Sequence, residues 1–145
     1  MDDTRHTLNE LLVDLFNYIL LIEEKNLRDV GVNLSMTEVH ILEAIQKSES
    51  NMMSQIAKRL MVTQGTLTVS AGKLAKKGYV ERVRDEKDKR IVRLILTQKA
   101  QPILSIHDTF HEEMIEKVLN GIALDKEEEL IQSLKNLMKF FKERY

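Results

Sequence analysis

Hydrophobic positions predict a long helix at each end of the chain. Over residues 4–29 apolar side chains recur every three or four positions, which is the period of one face of a helix. Five glycines and one proline in 145 residues leave few points where a helix would be broken. The N-terminal stripe comprises Leu8, Leu11, Leu12, Leu15, Phe16, Ile19, Ile22 and Leu27. The C-terminal stripe comprises Leu130, Ile131, Leu134, Leu137, Met138 and Phe141.

Three shorter helices are predicted between these two. Ser35 and Glu38 have the spacing of a capping box, which starts the first of them. A short helix at about 53–60 follows a polar break. Thr63 is a plausible N-cap for the third, which is expected over about 64–77. Two short helices joined by a tight turn to a third predict a helix-turn-helix arrangement.

After Gly78, which suits a left-handed helix cap, the hydrophobic period changes from helical to alternating. Residues 79–84 and 91–96 alternate between apolar and polar side chains, and the wholly polar segment 85–89 separates them. This pattern predicts a β-hairpin with a charged tip. The hairpin and the helices before it predict a winged helix-turn-helix domain.

A third long helix is expected between the two terminal ones, from Thr97 to about 119, with Pro102 in its first turns and at most a mild kink there. Asn120 and Gly121 should end it, and Asp125 should begin the last helix. The predicted fold is therefore mainly α with a small β-wing. We expect a winged helix-turn-helix domain at 34–97 and a helical dimerisation region formed by 1–33 and 98–145.

Charge is distributed unevenly along the chain. Residues 73–99 contain ten basic and four acidic side chains, a net charge of +6, whereas the rest of the chain carries −7. A protein that neutralises phosphates needs local rather than overall positive charge, so the sequence indicates DNA binding by this segment. A solvated surface of mixed charge is the alternative interpretation.

Candidate DNA contacts fall on the third short helix with its cap and on the hairpin, and one more, Ser54, lies on the short helix at 53–60. The N-terminal residues of a recognition helix face base edges in the major groove, and here they are small or hydrogen-bonding. Arg90 at the hairpin tip could enter the minor groove or bind phosphate, with Asp88 holding an arginine in position. The predicted DNA-binding residues are Ser54, Thr63, Gln64, Gly65, Thr66, Thr68, Val69, Lys73, Arg82, Arg84, Asp88, Lys89 and Arg90.

Other classes of protein find little support in the sequence. There is no cysteine, no apolar run long enough to span a membrane, and no signal-like N-terminus. We expect a cytoplasmic, nucleoid-associated protein without a required cofactor. No phosphate loop, catalytic triad or paired acid–base carboxylates are recognisable, so an enzyme is not expected.

The segment 56–100 resembles the MarR family of bacterial regulators, and long helices on both sides extend the resemblance over the whole chain. It departs from the family pattern at Ala100, where glycine is usual. The resemblance implies a homodimer formed by the first and the last two helices, on a palindromic operator in double-stranded DNA. The matching positions are Leu60, Val62, Thr63, Leu74, Gly78, Tyr79, Val80, Arg82, Asp88, Arg90, Leu96, Thr97 and Lys99.

Within that family, the chain is similar to the Gram-positive repressors of fatty-acid synthesis genes. The similarity lies in residues 22–45, in 60–68, in 83–94 and in the pair His107 and His111. This resemblance implies a repressor whose corepressor is long-chain acyl-acyl carrier protein, with the acyl chain in an apolar pocket. A regulator that senses another small apolar ligand stays open.

A zinc-responsive regulator is the less favoured alternative. The zinc-sensing branch of the same family uses a glutamate on the first helix, a histidine on the second and a histidine pair on the long helix. The corresponding candidates are Glu24, His40, His107 and His111. Such residues can bind zinc, but a hydrogen-bonded polar cluster without metal is the favoured interpretation.

Overall fold

The computed structural model describes residues 2–123 and 126–144. The predicted fold class is confirmed, because the chain is mostly helical and has one two-stranded antiparallel sheet. The elements are α1 (Asp2–Asp29), α2 (Met36–Lys47), α3 (Met53–Leu60), α4 (Gln64–Lys76), β1 (Val80–Arg84), β2 (Val92–Leu96), a 3₁₀ turn (Gln98–Ala100), α5 (Gln101–Leu119) and α6 (Glu127–Arg144).

Local sequence signals start and stop the short helices. The Ser35 hydroxyl accepts from the backbone N–H of Glu38 at 3.1 Å, and the Glu38 carboxylate accepts from the N–H of Ser35 at 3.2 Å. This is the predicted capping box, and it satisfies two donors at the start of α2. At the end of α4, Gly78 has a φ of +85°, a left-handed conformation that glycine adopts without steric cost.

One apolar core holds α2, α3, α4, the sheet and the start of α5 together. Each element contributes buried apolar side chains to it, which is why these five pieces pack as one lobe. Its largest fully buried side chains are Leu42, Ile56, Leu67, Leu74, Leu94, Leu104 and Val39.

The antiparallel hairpin pairs Val80 with Leu96 and Arg84 with Val92. Each strand begins one residue later than predicted. Tyr79 is excluded from β1 because its N–H donates to the carbonyl of Leu74 at 3.0 Å and thereby completes the cap of α4.

The start of the helix that follows the hairpin also differs slightly from the prediction. Residues 98–100 form a 3₁₀ turn, and α5 begins only at Gln101. Pro102 is therefore the second residue of α5, where a backbone N–H needs no partner within the helix, so the proline gives no reason for a kink. Leu119 ends the helix before Asn120 and Gly121, as predicted. Asp125, the expected cap of α6, lies outside the described residues.

The chain divides into two compact units, 1–108 and 109–145. In the first unit, α1 exposes a stripe of large apolar side chains that includes Leu8, Leu12 and Phe16. In the second unit, none of the described residues of α6 is buried. None of the helices in the described ranges combines the length and apolar character that crossing a bilayer requires.

Candidate nucleic-acid interface

Helix α4 presents a polar N-terminal face to solvent. Leu67, Ala71 and Leu74 are buried, so the remaining faces of the helix are fixed by its period. Thr63 caps the helix, its hydroxyl accepting from the N–H of Thr66 at 3.1 Å. The predicted contacts that are exposed on this helix and at its cap are Thr63, Gln64, Gly65, Thr66, Thr68, Val69 and Lys73.

Intramolecular hydrogen bonds already occupy several of the hydroxyls on this face. Thr63 donates to the hydroxyl of Thr66 at 2.9 Å, and Thr68 donates to the backbone carbonyl of Gln64 at 2.7 Å. Thr63 and Thr68 therefore offer DNA mainly acceptor lone pairs. The exposed side-chain amide of Gln64 keeps both donor and acceptor groups for a base edge such as that of adenine.

Arg90 projects from the wing in a fixed orientation. Its Nε and Nη2 donate to the two carboxylate oxygens of Asp88, both at 3.0 Å, while 91% of the side chain is exposed. The hydrogen bonds from Arg90 hold the pKa of Asp88 below its usual value, and Asp88 raises the pKa of Arg90. Asp88 thus orients a guanidinium that solvent, or a DNA groove, can still reach. This is the role predicted for it.

A second carboxylate shapes the wing tip. Asp85 accepts from the backbone N–H groups of Lys87 and Asp88, at 3.1 and 2.9 Å. The hydrogen bond from the Asp88 amide contributes most to lowering the pKa of Asp85. On the other side of the turn, Arg84 donates to the carbonyl of Lys89 at 3.1 Å. The tip is therefore an ordered turn and presents Lys89 and Arg90 in exposed positions.

At the base of the wing, Arg93 makes contacts that the sequence analysis did not anticipate. Its guanidinium donates to the side chain of Asn51 at 3.2 Å and lies 3.5 Å from Asp85. The backbone continues this link, because Leu94 donates to the carbonyl of Asn51 at 2.9 Å and Met52 forms a β-bridge with Arg93. The segment before α3 is thus joined to β2 by an isolated bridge beside the two-stranded sheet.

The predicted recognition helix, α4, and the wing, which is the β1–β2 hairpin, flank a crevice of about 220 Å³. Five of the predicted contacts meet there, although they come from three separate elements. Four apolar residues complete the lining, and the two arginines and three neutral polar side chains among its nine residues supply positive charge and hydrogen-bonding groups suited to a DNA backbone. Those five residues are Ser54, Gln64, Thr68, Arg82 and Arg90.

Comparison with known proteins places this lobe in a family. The MarR family model matches residues 34–92. The HTH-type transcriptional regulator SarZ of Staphylococcus aureus is 32% identical over 108 residues, which cover 73% of this chain and 70% of SarZ. The chain belongs to the MarR family. It is a MarR-type DNA-binding transcriptional regulator.

Two solved structures extend the likeness beyond the DNA-binding lobe. Streptococcus pneumoniae FabT, crystallised in complex with DNA, is 40% identical with a TM-score of 0.86, covering 97% of this chain and 99% of FabT. Lactococcus lactis ZitR, a zinc-responsive MarR family member, is 26% identical with a TM-score of 0.61, covering 77% of this chain and 78% of ZitR.

This MarR-family chain also contains a buried polar cluster, which corrects one sequence prediction. Glu23, with 3% of its side chain exposed, lies 3.6 Å from His107 and 3.7 Å from His40, whereas Glu24 is exposed. Leu27, one helical turn after Glu23, is buried, so this side of α1 faces the lobe. The glutamate of the cluster is therefore Glu23 and not Glu24.

Glu43 is a further member that the sequence analysis missed. It lies three residues after His40 on α2, a spacing that places both on one face and could have revealed it. Its carboxylate is 2.9 Å from His107 Nε2 and also pairs with Lys47. Burial raises the pKa of Glu43, but the hydrogen bonds from Lys47 and His107 outweigh burial and lower it.

His111, the remaining predicted ligand, lies in the second unit. It is half-buried there, with its ring edge towards Phe110 and the two ring centroids 5.5 Å apart. In the first unit, the ligand atoms of His40, Glu43 and His107 all lie within 4.8 Å of one another, a grouping able to hold a metal ion.

Proposed function

We propose that this protein is a homodimeric repressor that binds a palindromic operator controlling fatty-acid synthesis genes, with acyl-acyl carrier protein as its corepressor. The observation that carries the DNA-binding part is the crevice in which recognition helix and wing converge on five polar or basic side chains. The fatty-acid part is supported by the resemblance of residues 22–45 and 83–94 to that branch of the family. The 40% identity to FabT over almost the whole chain also supports it.

The exposed apolar residues of α1 and α6 support the homodimer. Phe16 is 63% exposed, and Leu134 and Phe141 of α6 are about half exposed. Exposed apolar surface repeated along two helices is typical of a protein–protein interface. Closed two-fold dimers are the commonest soluble oligomers, and two copies would present two recognition helices to the two halves of a palindrome.

Replacing Phe16 by Glu tests the dimer. We expect a folded monomer with strongly reduced operator affinity, because the charge would lie in the interface while the lobe core is untouched. Sedimentation equilibrium gives the mass, and circular dichroism gives the fold. Asn17→Glu is the matched control, since it adds the same charge at a neighbouring exposed position. A wild-type protein that sediments as a monomer would refute the proposal.

The corepressor is tested by adding carrier proteins to the repressor–DNA mixture. The probe is a fluorescent duplex from the promoter of the fatty-acid synthesis genes, and anisotropy reports binding. Long-chain acyl-acyl carrier protein should tighten binding, whereas the same carrier protein without its acyl chain should not. Unchanged affinity in both mixtures would eliminate the corepressor, while leaving DNA binding itself established.

The buried cluster favours zinc sensing as a second candidate function. Histidine nitrogens and carboxylate oxygens are zinc ligands, and His40, Glu43 and His107 are close enough to share one ion. The 26% identity to zinc-responsive ZitR adds support. The same distances also suit a cluster held by hydrogen bonds alone, with His107 bonded to Glu43.

Elemental analysis of untagged protein separates these two possibilities. A zinc site predicts close to one zinc per chain, lost in His107→Ala and kept in His6→Ala, which removes an exposed histidine on α1. Wild-type protein that remains nearly zinc-free after incubation with zinc would end this candidate function.

A further inference from the structure

Helix α4 has one solvent-exposed side directly opposite its buried residues. Near the helix N-terminus, the residues along this side have no hydrogen-bonding side chains. Gly65 and Val69 each lie two positions from buried Leu67, which places them about 160° around the axis from it. They are therefore the residues that point most directly away from the lobe. Gln64 and Thr68 lie to the wing side of Gly65 and Val69, in the crevice.

Val69 stands out on this surface as an apolar side chain. It is 61% exposed, and the neighbouring side chains on the same face are polar or absent. A β-branched residue on an exposed helix face lowers helix propensity relative to alanine, so local helix stability does not account for a valine here. An isolated exposed valine would need no explanation on an ordinary surface. Here it lies on the face of α4 that was predicted to contact DNA.

Gly65 leaves a depression beside Val69. The two residues are one turn apart, about 6 Å along the axis. A side-chain carbon built at Gly65 would meet nothing closer than the Thr63 hydroxyl at 3.9 Å, so the space over the glycine is open. The exposed backbone of Gly65 and the exposed side chain of Val69 therefore follow one another on the same side of the helix.

The chemistry of this depression suits one feature of the major groove. Base edges there carry hydrogen-bond donors, acceptors and a single apolar group, the C5-methyl of thymine. Val69 and Gly65 have no side-chain donor or acceptor to offer, and the adjacent Thr68 hydroxyl already donates to Gln64. We propose that Val69 is a specificity-determining residue, which selects thymine by packing against its methyl group above Gly65.

This inference rests on the proposed operator binding. It adds that the thymine methyl group is the feature recognised and that Val69 is the side chain that recognises it. Burying one methyl group changes an equilibrium by about fourfold. A symmetric operator places the same contact in both half-sites, so removing both methyl groups should weaken binding by about fifteenfold.

Deoxyuridine substitution removes only the thymine methyl and leaves base pairing intact. The probe is a duplex selected by the wild-type protein from a random library. Each thymine is replaced symmetrically in both half-sites, one position at a time, and binding is followed by anisotropy. At one position, the wild-type protein should lose about fifteenfold in affinity, whereas Val69→Ala should lose almost nothing further. Ser70→Ala, the matched control on the following residue and outside the predicted contacts, should keep the full uridine penalty.

The outcomes separate this inference from the proposed function. Specific binding by the wild-type protein without any uridine penalty would overturn the inference alone. So would a penalty of equal size in wild type and Val69→Ala at every position. A selection that enriches no sequence would overturn the proposed operator binding, and the inference would fall with it.

Discussion

Replacing Gly65 by alanine should affect the stability of the free protein and its affinity for DNA in opposite directions. The backbone at Gly65 lies in the second position of α4 with ordinary helical geometry. The added methyl carbon would lie 3.9 Å from the Thr63 hydroxyl, an ordinary van der Waals contact. Alanine should therefore stabilise the free protein by about 0.5–1 kcal/mol, because glycine loses more conformational freedom on folding.

In the complex the same methyl group should have the opposite effect. It would occupy the open space over Gly65, where we expect a base edge to approach the helix. Forcing an extra carbon into a well-packed contact costs about 1–3 kcal/mol. Operator affinity should thus fall by about 5- to 150-fold for each half-site.

Two measurements on one sample test this reasoning. Urea unfolding gives the free energy of unfolding, and fluorescence anisotropy on the selected operator gives the affinity. Gly72→Ala is the matched control, since it lies two turns further along the same face and its methyl carbon would meet only the flexible end of Arg82, at 3.9 Å. It should be stabilised equally and bind nearly as wild type. A Gly65→Ala protein that is more stable and binds DNA as tightly as wild type would refute close approach at this position.

Three further substitutions test the turn and the wing. Arg90→Ala should lower operator affinity by about 5- to 150-fold while leaving the unfolding transition unchanged, because the side chain is exposed; unchanged anisotropy titrations would remove Arg90 from the interface. Met61→Gly should stabilise the free protein by about 1 kcal/mol in urea unfolding, since Met61 has a φ of +57°, and a less stable variant would contradict this. Asp85→Ala should speed hydrogen exchange at the Lys87 and Asp88 amides and weaken DNA binding. Because folding lowers the pKa of Asp85, the ordered turn should persist at pH values above 3.8 and be lost only as pH falls through the lower folded-state pKa; loss of amide protection already at pH 5 to 6 would disprove this.

Short-range features were predictable because their causes lie within a few residues. The capping box of Ser35 and Glu38, the Thr63 cap and the left-handed Gly78 each depend on one turn of chain. The pairing of Asp88 with Arg90 is also local. The alternation that marks the hairpin extends over six residues in each strand. The prediction differed only at the strand starts, and Tyr79 is outside β1 because its N–H completes the cap of α4.

Contacts between distant segments were not predictable from the sequence. Arg93 and Asn51 are 42 positions apart, and no pattern in the sequence around either residue indicates that the two are in contact. The choice between Glu23 and Glu24 depends on the rotational phase of α1. Apolar residues lie on several sides of that helix, so the sequence pattern alone does not decide which carboxylate turns inward. The burial of Glu23 in the structure, together with that of Leu27 one turn later, settles it.

The backbone pairing of Asn51 and Met52 with β2 has a mechanical consequence for control by an effector. It ties the residues that lead into α3 to β2 close to the hairpin tip that displays Arg90, so backbone hydrogen bonding holds the start of α3 and the wing together. We therefore expect an effector to change the angle between α3 and the wing little. In the proposed homodimer we expect it to act on the separation of the two lobes, so that operators with differently spaced half-sites would bind the two states with different affinity.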